Sequence, residues 1–449
     1  MNLNVLRTRW ARLAVAVVLG MGAGALHAGD DLRALLEILL EKGIITQDEY
    51  NNKLKKVAEA QEIKEFNQAQ DIRKASAELQ KRADAERNFS AEIYGQVSAG
   101  YYASSNMTMA NQDVSGMSDQ PKGNNRIGLR LGRELDDDVR AVVTLESNFS
   151  SRTGALGRDA GGYGYTAGGN PVFDREANFR LISKEKGTLI LGRGPNLQNE
   201  LSSAFDARQN WNFGGLKPIG RYVGFHGASG INRADKMIRY TSPAFNGFTV
   251  DTAVAFGGVP EDEQKGTNYY LGGRYKKGGF ELGYNHIEAR LANASEVNNR
   301  VDFLASKYTL DKITLNAGVV MTRNPSSAVG GTFSTTTASG RVDADTFFAG
   351  AVYRFMPAFS LNAGLYQVHD RSSSKGKNDL SMLATGLTWS PYKEWDFFID
   401  YASVSRERDA SAAFTLYDKW IPDTSTNGTG YSESKKGQSG VSVGALFRF

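Results

Sequence analysis

The last ten residues, Gly440 to Phe449, alternate without interruption. Val441, Val443, Ala445, Phe447 and Phe449 fall on one side, and Ser442, Gly444, Leu446 and Arg448 on the other. Strand side chains point to opposite faces in turn, so this segment carries one continuous apolar wall. A tilted strand of about that length matches the hydrocarbon thickness of a bilayer. The same period of two begins near Ser90 and runs to the end of the chain. Phe248, Val250, Thr252, Val254 and Phe256 share one face. Trp395, Phe397, Ile399 and Tyr401 share another, opposite Asp396 and Asp400, and Phe359, Leu361, Ala363 and Leu365 a third.

The pattern predicts sixteen strands, at 92–103, 125–135, 139–149, 175–184, 187–194, 236–242, 248–257 and 268–276 in the first half. The second half supplies 280–288, 301–310, 313–323, 344–355, 359–368, 379–390, 395–404 and 440–449. Their connections alternate in length. Short turns such as Asp136-Asp137-Asp138, Lys184-Glu185-Lys186, Asp311-Lys312 and Met356-Pro357-Ala358 follow the even strands, and long loops follow the odd ones. An even-stranded antiparallel outer-membrane barrel requires that rhythm, with both barrel ends periplasmic. Aromatics gather near strand ends (Tyr101, Phe149, Phe355, Trp389, Tyr392, Phe449), where interfacial girdles belong. The predicted fold is an all-β transmembrane barrel preceded by a short α-helical coiled-coil segment, with residues 89–449 forming the barrel.

Residues 29–88 lack the period of two. Leu32, Leu35, Leu36, Leu39 and Leu40 make a short amphipathic helix that Gly43 can end. Thr46 with Glu49 three residues on fits a capping box. No Pro or Gly interrupts the stretch from there to Asn88, which predicts a rod of roughly 65 Å. Leu54, Val57, Ile72, Ala75 and Leu79 lie near heptad spacing, while Gln61, Lys64 and Gln68 interrupt the seam. Both a polar-cored coiled coil and a solvated helical linker fit that pattern.

Arg7, Arg9 and Arg12 precede an apolar run from Leu13 to Leu26, which predicts a secretory signal peptide over residues 1–28. Cleavage is placed after Ala28, with Ala25 as the alternative. Removing those three arginines leaves 50 basic against 49 acidic residues, a balance that predicts no nucleic-acid partner. The chain has no Cys, so no disulfide or thiol site exists. No apolar run of 18 residues follows the leader, although Gly numbers 49 and Phe with Tyr 42. A barrel reconciles these facts, because only alternate residues meet lipid.

Six motifs in order resemble the general bacterial porin family, trimeric sixteen-stranded channels of the Gram-negative outer membrane. They are Ile93-Tyr94-Gly95-Gln96, Asn125-Arg126-Ile127-Gly128-Leu129-Arg130, Thr144-Leu145-Glu146-Ser147-Asn148-Phe149, Arg175-Glu176-Ala177, Gly187-Thr188-Leu189-Ile190-Leu191-Gly192-Arg193 and Arg239-Tyr240-Thr241-Ser242-Pro243. The terminal Phe449 also resembles that family's assembly signal. The resemblance spans about 92–449 and leaves 29–88 outside the common pattern. It implies a homotrimer in outer-membrane lipid that passes small hydrophilic solutes and ions. It also implies that the loop after the fifth strand, about 195–235, folds inward as a constriction. The wall positions that match are Arg126, Arg130, Arg175 and Glu146, with Arg239 nearby; Gln96 stands where many members carry lysine. Glu200 and Asp206 are the loop acids, and Arg208, Lys217, Arg221 and Arg233 its bases. Excess guanidinium over carboxylate predicts a mild preference for anions.

Enzyme chemistry finds little support. His226, His286 and His369 remain after the leader, none in a nucleophile motif and none at metal-ligand spacing. Gly161-Gly162, Gly164 and Gly214-Gly215 are loop glycines with no phosphate-cradling context. No cofactor is implied. The expectation is a diffusion porin; the alternatives are a channel selective for small anionic solutes and a tether that engages peptidoglycan through residues 29–88.

Overall fold

A computed structural model describes residues 27–43, 45–106, 112–156, 172–225, 233–290, 295, 297, 299–324, 342–371, 378–406, 414 and 437–449. The expected signal region before residue 27, Gly161 to Gly164 and His226 lie outside the described residues. The chain divides into two compact units, Met1–Arg87 and Asn88–Phe449.

The first unit holds α1 (His27–Glu41) and α2 (Gln47–Arg87). Gly43 ends α1 in the left-handed region, φ +68°, a conformation that costs glycine nothing. The capping box forms: the Glu49 N–H donates to Thr46 Oγ1 at 3.3 Å and the Thr46 N–H to Glu49 Oε2 at 3.0 Å. With 41 residues, α2 is about 60 Å long. Its Ile63, Phe66, Ile72 and Leu79 are all exposed.

The second unit is a closed antiparallel barrel. Its strands are β1 (Phe89–Ser104), β2 (Val114–Asp119), β3 (Arg126–Glu134), β4 (Val139–Asn148), β5 (Glu176–Ser183), β6 (Gly187–Pro195), β7 (Arg233–Thr241), β8 (Phe248–Ala255) and β9 (Asn268–Lys277). There follow β10 (Phe280–Ala289), β11 (Asn299–Leu310), β12 (Ile313–Asn324), β13 (Val342–Met356), β14 (Phe359–Asp370), β15 (Leu380–Tyr392), β16 (Trp395–Arg406) and β17 (Gln438–Arg448). From β3 onward each strand pairs with the next. β17 pairs back onto β1, with Val97 opposite Phe447, and Phe449 exchanges two backbone bonds with Gly95. Closure satisfies every edge, as a lipid environment demands.

Seventeen elements make sixteen spans, because β2 and β3 are one span in two pieces. β2 pairs with the Ala99–Ser104 half of β1 and β3 with the Phe89–Gln96 half. Between them the backbone leaves the wall at 120–125, with Gln120 at φ +63° and Gly123 at φ +147°. The periodicity locates β3 but not β2. Its six residues stand alone between turn-forming segments, too short to show a period.

Faces follow the alternation. Phe248, Val250, Leu361, Leu365, Ile399, Val441 and Val443 are exposed on the outer wall, while Asp251 and Asp400 are buried inside. Rings run in contact along the short-turn rim from Phe359 through Trp389, Phe397 and Trp395 to Phe447 and Phe449, with centroids 4.6–6.1 Å apart. Residues 196–225, which follow β6, fold into the barrel. They include α3 (Leu197–Phe205) and α4 (Leu216–Val223), whose apolar side chains form the core with the inner wall.

Candidate functional site: the charged lumen beside the inner loop

The inner loop is shaped by its own sequence. Asn196 caps α3, its Oδ1 accepting the Asn199 N–H at 3.2 Å. Leu197, Leu201 and Phe205 recur every fourth residue and bury one face against the wall. The wall makes room with glycine: a Cβ on Gly283 would lie 2.7 Å from both Leu201 and Phe205.

Asp206 then closes the turn between the helices. Its Oδ1 accepts from the Tyr366 hydroxyl at 2.6 Å and the Arg208 N–H at 3.0 Å. Its Oδ2 accepts from the N–H groups of Asn210 at 2.9 Å and Leu216 at 3.0 Å. Burial pushes its pKa above the ordinary carboxylate value even against these donors. At 3% exposure it organises the loop and presents almost no charge to the lumen.

Arg208 fastens the turn to the wall. Its buried guanidinium donates to Asp400 Oδ1 at 2.8 Å, to Asn362, and to the Gly214 and Phe213 carbonyls at 3.3 Å. Trp211 covers it, ring centroid 4.6 Å away. Gly386 permits the approach, since a Cβ there would collide with Asp400. The sequence reading counts Arg208 as a loop base facing the lumen; the fold spends it on an internal ion pair.

The remaining wall carries the charge. Glu146, 4% exposed, serves two arginines: Arg175 Nε donates to Oε1, and Arg126 Nε lies 3.6 Å from Oε2. Arg233 adds positive potential at the same carboxylate. Arg180 pairs with Glu176 and Arg193 with Asp235, each one to one. On strand β5, Asn178 and Arg180 face inward and Phe179 faces out.

Arg239 forms a second group. It donates to both Asp251 oxygens at 2.7–3.1 Å, to Glu200 Oε1 at 2.7 Å and to the Pro195 carbonyl at 2.9 Å. The other Glu200 oxygen accepts from Arg274 at 2.8 Å. The structure therefore brings Arg126, Arg175 and Glu146 together, and separately Arg239 and Glu200. Arg130 belongs to neither: it pairs with Glu92 at 2.6 Å and covers the Tyr94 ring at 4.4 Å. Both partners are about half exposed, and such pairs contribute roughly 0–1 kcal/mol.

Gln96 supports the excursion at 120–125, donating to the Asn124 carbonyl at 2.9 Å. The excursion brings Lys122 into the lumen, where Nζ meets Thr388 Oγ1 at 2.5 Å and lies 4.3 Å from the Trp211 ring centroid. Sequence reasoning misses Lys122, Arg274 and the Arg208–Asp400 pair. The run Pro121-Lys122-Gly123-Asn124 carries turn chemistry immediately before the predicted second strand, but nothing in it marks an inward turn. Of the histidines, His286 pairs with Asp302 at 2.7 Å and His369 with Asp379 at 3.5 Å, and neither contact includes a serine or threonine.

Residues 65–409 match the profile of the Gram-negative porins. Over 158 residues the chain is 28% identical to an outer membrane porin of Bordetella pertussis, a match covering 34% of this chain and only 36% of that relative. An anion-selective porin from Comamonas acidovorans has a similar fold, with a TM-score of 0.63, 17% identity, and coverage of 80% of this chain and 100% of that one. The trimer form of OmpT, an outer membrane protein of Vibrio cholerae, is similar at a TM-score of 0.52 and 12% identity, over 80% of this chain and 99% of that one.

Proposed function

The chain belongs to the Gram-negative porin family and resides in the outer membrane, and from that premise we propose that it forms a water-filled channel for small hydrophilic solutes, mildly favouring anions. One observation carries the preference: Arg126 and Arg175 share the single carboxylate of Glu146, with Arg233 close by. The other lumenal arginines named above have a carboxylate each or nearly so, and a surplus of fixed positive charge in a narrow aqueous gap concentrates anions. The fold shared with an anion-selective porin supports the same reading, and the trimer form of OmpT supports a homotrimer.

Folded protein in planar bilayers tests it. Stepwise conductance in groups of three is expected, with a reversal potential in a salt gradient on the anion side. Replacing Arg126 and Arg175 together with Ala moves that potential toward cations, by less at 1 M salt, where the screening length falls to about 3 Å. Folded trimers that pass no current overturn the channel. An unmoved potential overturns the assignment of selectivity to this pair.

The helical unit supports a second role. α2 is too polar for lipid, which supports a periplasmic place for residues 29–88. Leu54, Ile72 and Leu79 offer a seam for a loose trimeric stalk that spaces the barrel from peptidoglycan. Deleting 30–88 then weakens heat-stable trimers or cell-wall attachment and leaves conductance intact. A deletion that changes neither reduces the segment to a linker.

A further inference from the structure

Between the tip of the inner loop and the wall of β13 to β17 lies a cavity of about 170 Å³. Lys122, Arg354 and Arg448 line it with a single carboxylate, Asp396. Asp396 is already engaged, accepting from Arg448 at 2.7 Å and from Ser390 Oγ at 2.6 Å. Lys122 is 5% exposed, and its ammonium meets one acceptor, Thr388, among the described residues. An ammonium has three donors, so two remain, and the Trp211 and Phe398 rings beside it supply none of the acceptors they need. The Arg354 guanidinium has no hydrogen-bonding or acidic partner among the described residues, while its backbone N–H bonds Lys312. Three cations thus face a small polar cavity that holds one carboxylate, an excess of two positive charges, and burying such an excess is costly.

We propose that this cavity is a binding subsite for a small dianionic oxyanion, with Lys122 and Arg354 as its charged ligands and the Thr388 and Ser360 hydroxyls as neutral donors. It shares no side chain with the Arg126–Glu146–Arg175 group. Two formal positive charges match a dianion better than chloride. Arg354 is planar and forked, suited to hold two oxygens at once, and Lys122 acts as a fixed point charge. The cavity volume suits a compact anion, and its polar wall offers an extended apolar solute little to cover. The subsite deepens the channel reading by giving the lumen a resting place for one class of solute, and it rests on that reading only for the ligand's route of entry.

Calorimetric titration of the detergent-folded full chain with inorganic phosphate at pH 7.5, below the value of about 8 to which burial lowers Lys122, tests the site without any current. Saturable binding is expected, displaced by sulfate and not by equal chloride. Arg354→Gln weakens it about tenfold or more, and Arg354→Lys recovers part of the loss. Arg354 is exposed, so its variants are expected to fold; heat-modifiable gel migration verifies each one. Because Lys122→Met alters a buried contact, it serves only as a second arm. No saturable heat with the parent protein, or an affinity unmoved by Arg354→Gln, overturns the subsite. Phosphate binding by a protein that passes no current sinks the channel and keeps the subsite; current without phosphate binding does the reverse.

Discussion

On β10 to β12 the inward positions include Ile287, Val301, Phe303 and Val320, all fully buried, with Asn285, Asn299 and Thr322 buried among them. On β3 to β5 the equivalent positions are Arg126, Glu146, Asn178 and Arg180. Both arcs belong to one barrel and obey one alternation, yet the first buries apolar side chains against the inner loop and the second buries charged and polar ones that pair with each other. The difference lies in what covers them. α3 lies on the first arc, so a strand there whose two faces are both apolar faces lipid on one side and the inner loop on the other. Inside and outside in this barrel are set by contact partner, and polarity alone does not report them.

The largest expected effect comes from detaching the loop. Arg208→Ala leaves Asp400 buried without its cation, and breaking a buried pair this way costs about 3–5 kcal/mol. The barrel should unfold at a lower temperature, and single-channel conductance should rise and become noisy as the loop leaves the wall. Replacing both members with apolar residues of similar size is expected to recover most of the stability. A double variant as damaged as the single one would show that the neutral partners, Asn362 and the backbone carbonyls of Phe213 and Gly214, hold the loop instead.

A smaller effect tests the packing itself. Gly283→Val puts a side chain where Leu201 and Phe205 already touch the wall, and overpacking of this kind costs about 1–3 kcal/mol. Gly132→Val on β3, where a Cβ would meet only the movable ends of the Arg140 and Ser90 side chains, should cost less. Thermal unfolding of folded trimers compares the two. Equal costs would mean the covered arc is not close-packed.

All sixteen spans were legible because each keeps its period along its length, and lipid on one side enforces it. Val441 to Phe449 is the plainest case. The partners inside were less legible. Arg126 and Glu146 were visible as charges on a wall, but whether a charge meets water or another residue depends on contacts across the lumen. Arg208 and Asp400 lie 192 positions apart, and nothing local marks them as a pair. Asp206 read as a constriction acid because loop acids are few; the four donors that surround it come from the loop's own turn and from Tyr366. Lys122 was hidden because β2 is too short to declare a strand, which made the excursion look like ordinary loop.

The smallest expected effect is the most discriminating about sign. Glu200 stands on the exposed side of α3 and meets the wall between the two arcs, accepting from Arg239 on β7 and Arg274 on β9. Glu200→Gln keeps the shape and removes one negative charge. Arg239 retains Asp251, so its position holds, whereas Arg274 loses the only carboxylate it meets among the described residues. With Glu200 about two-fifths exposed, the stability change stays within roughly 1 kcal/mol. The reversal potential should nevertheless move toward anions, opposite in direction to the change from removing Arg126 and Arg175. Both shifts should shrink in high salt. If the Glu200 variant moves toward cations or not at all, that carboxylate lies off the ion path, and the boundary between the two arcs falls on the lumenal side of α3.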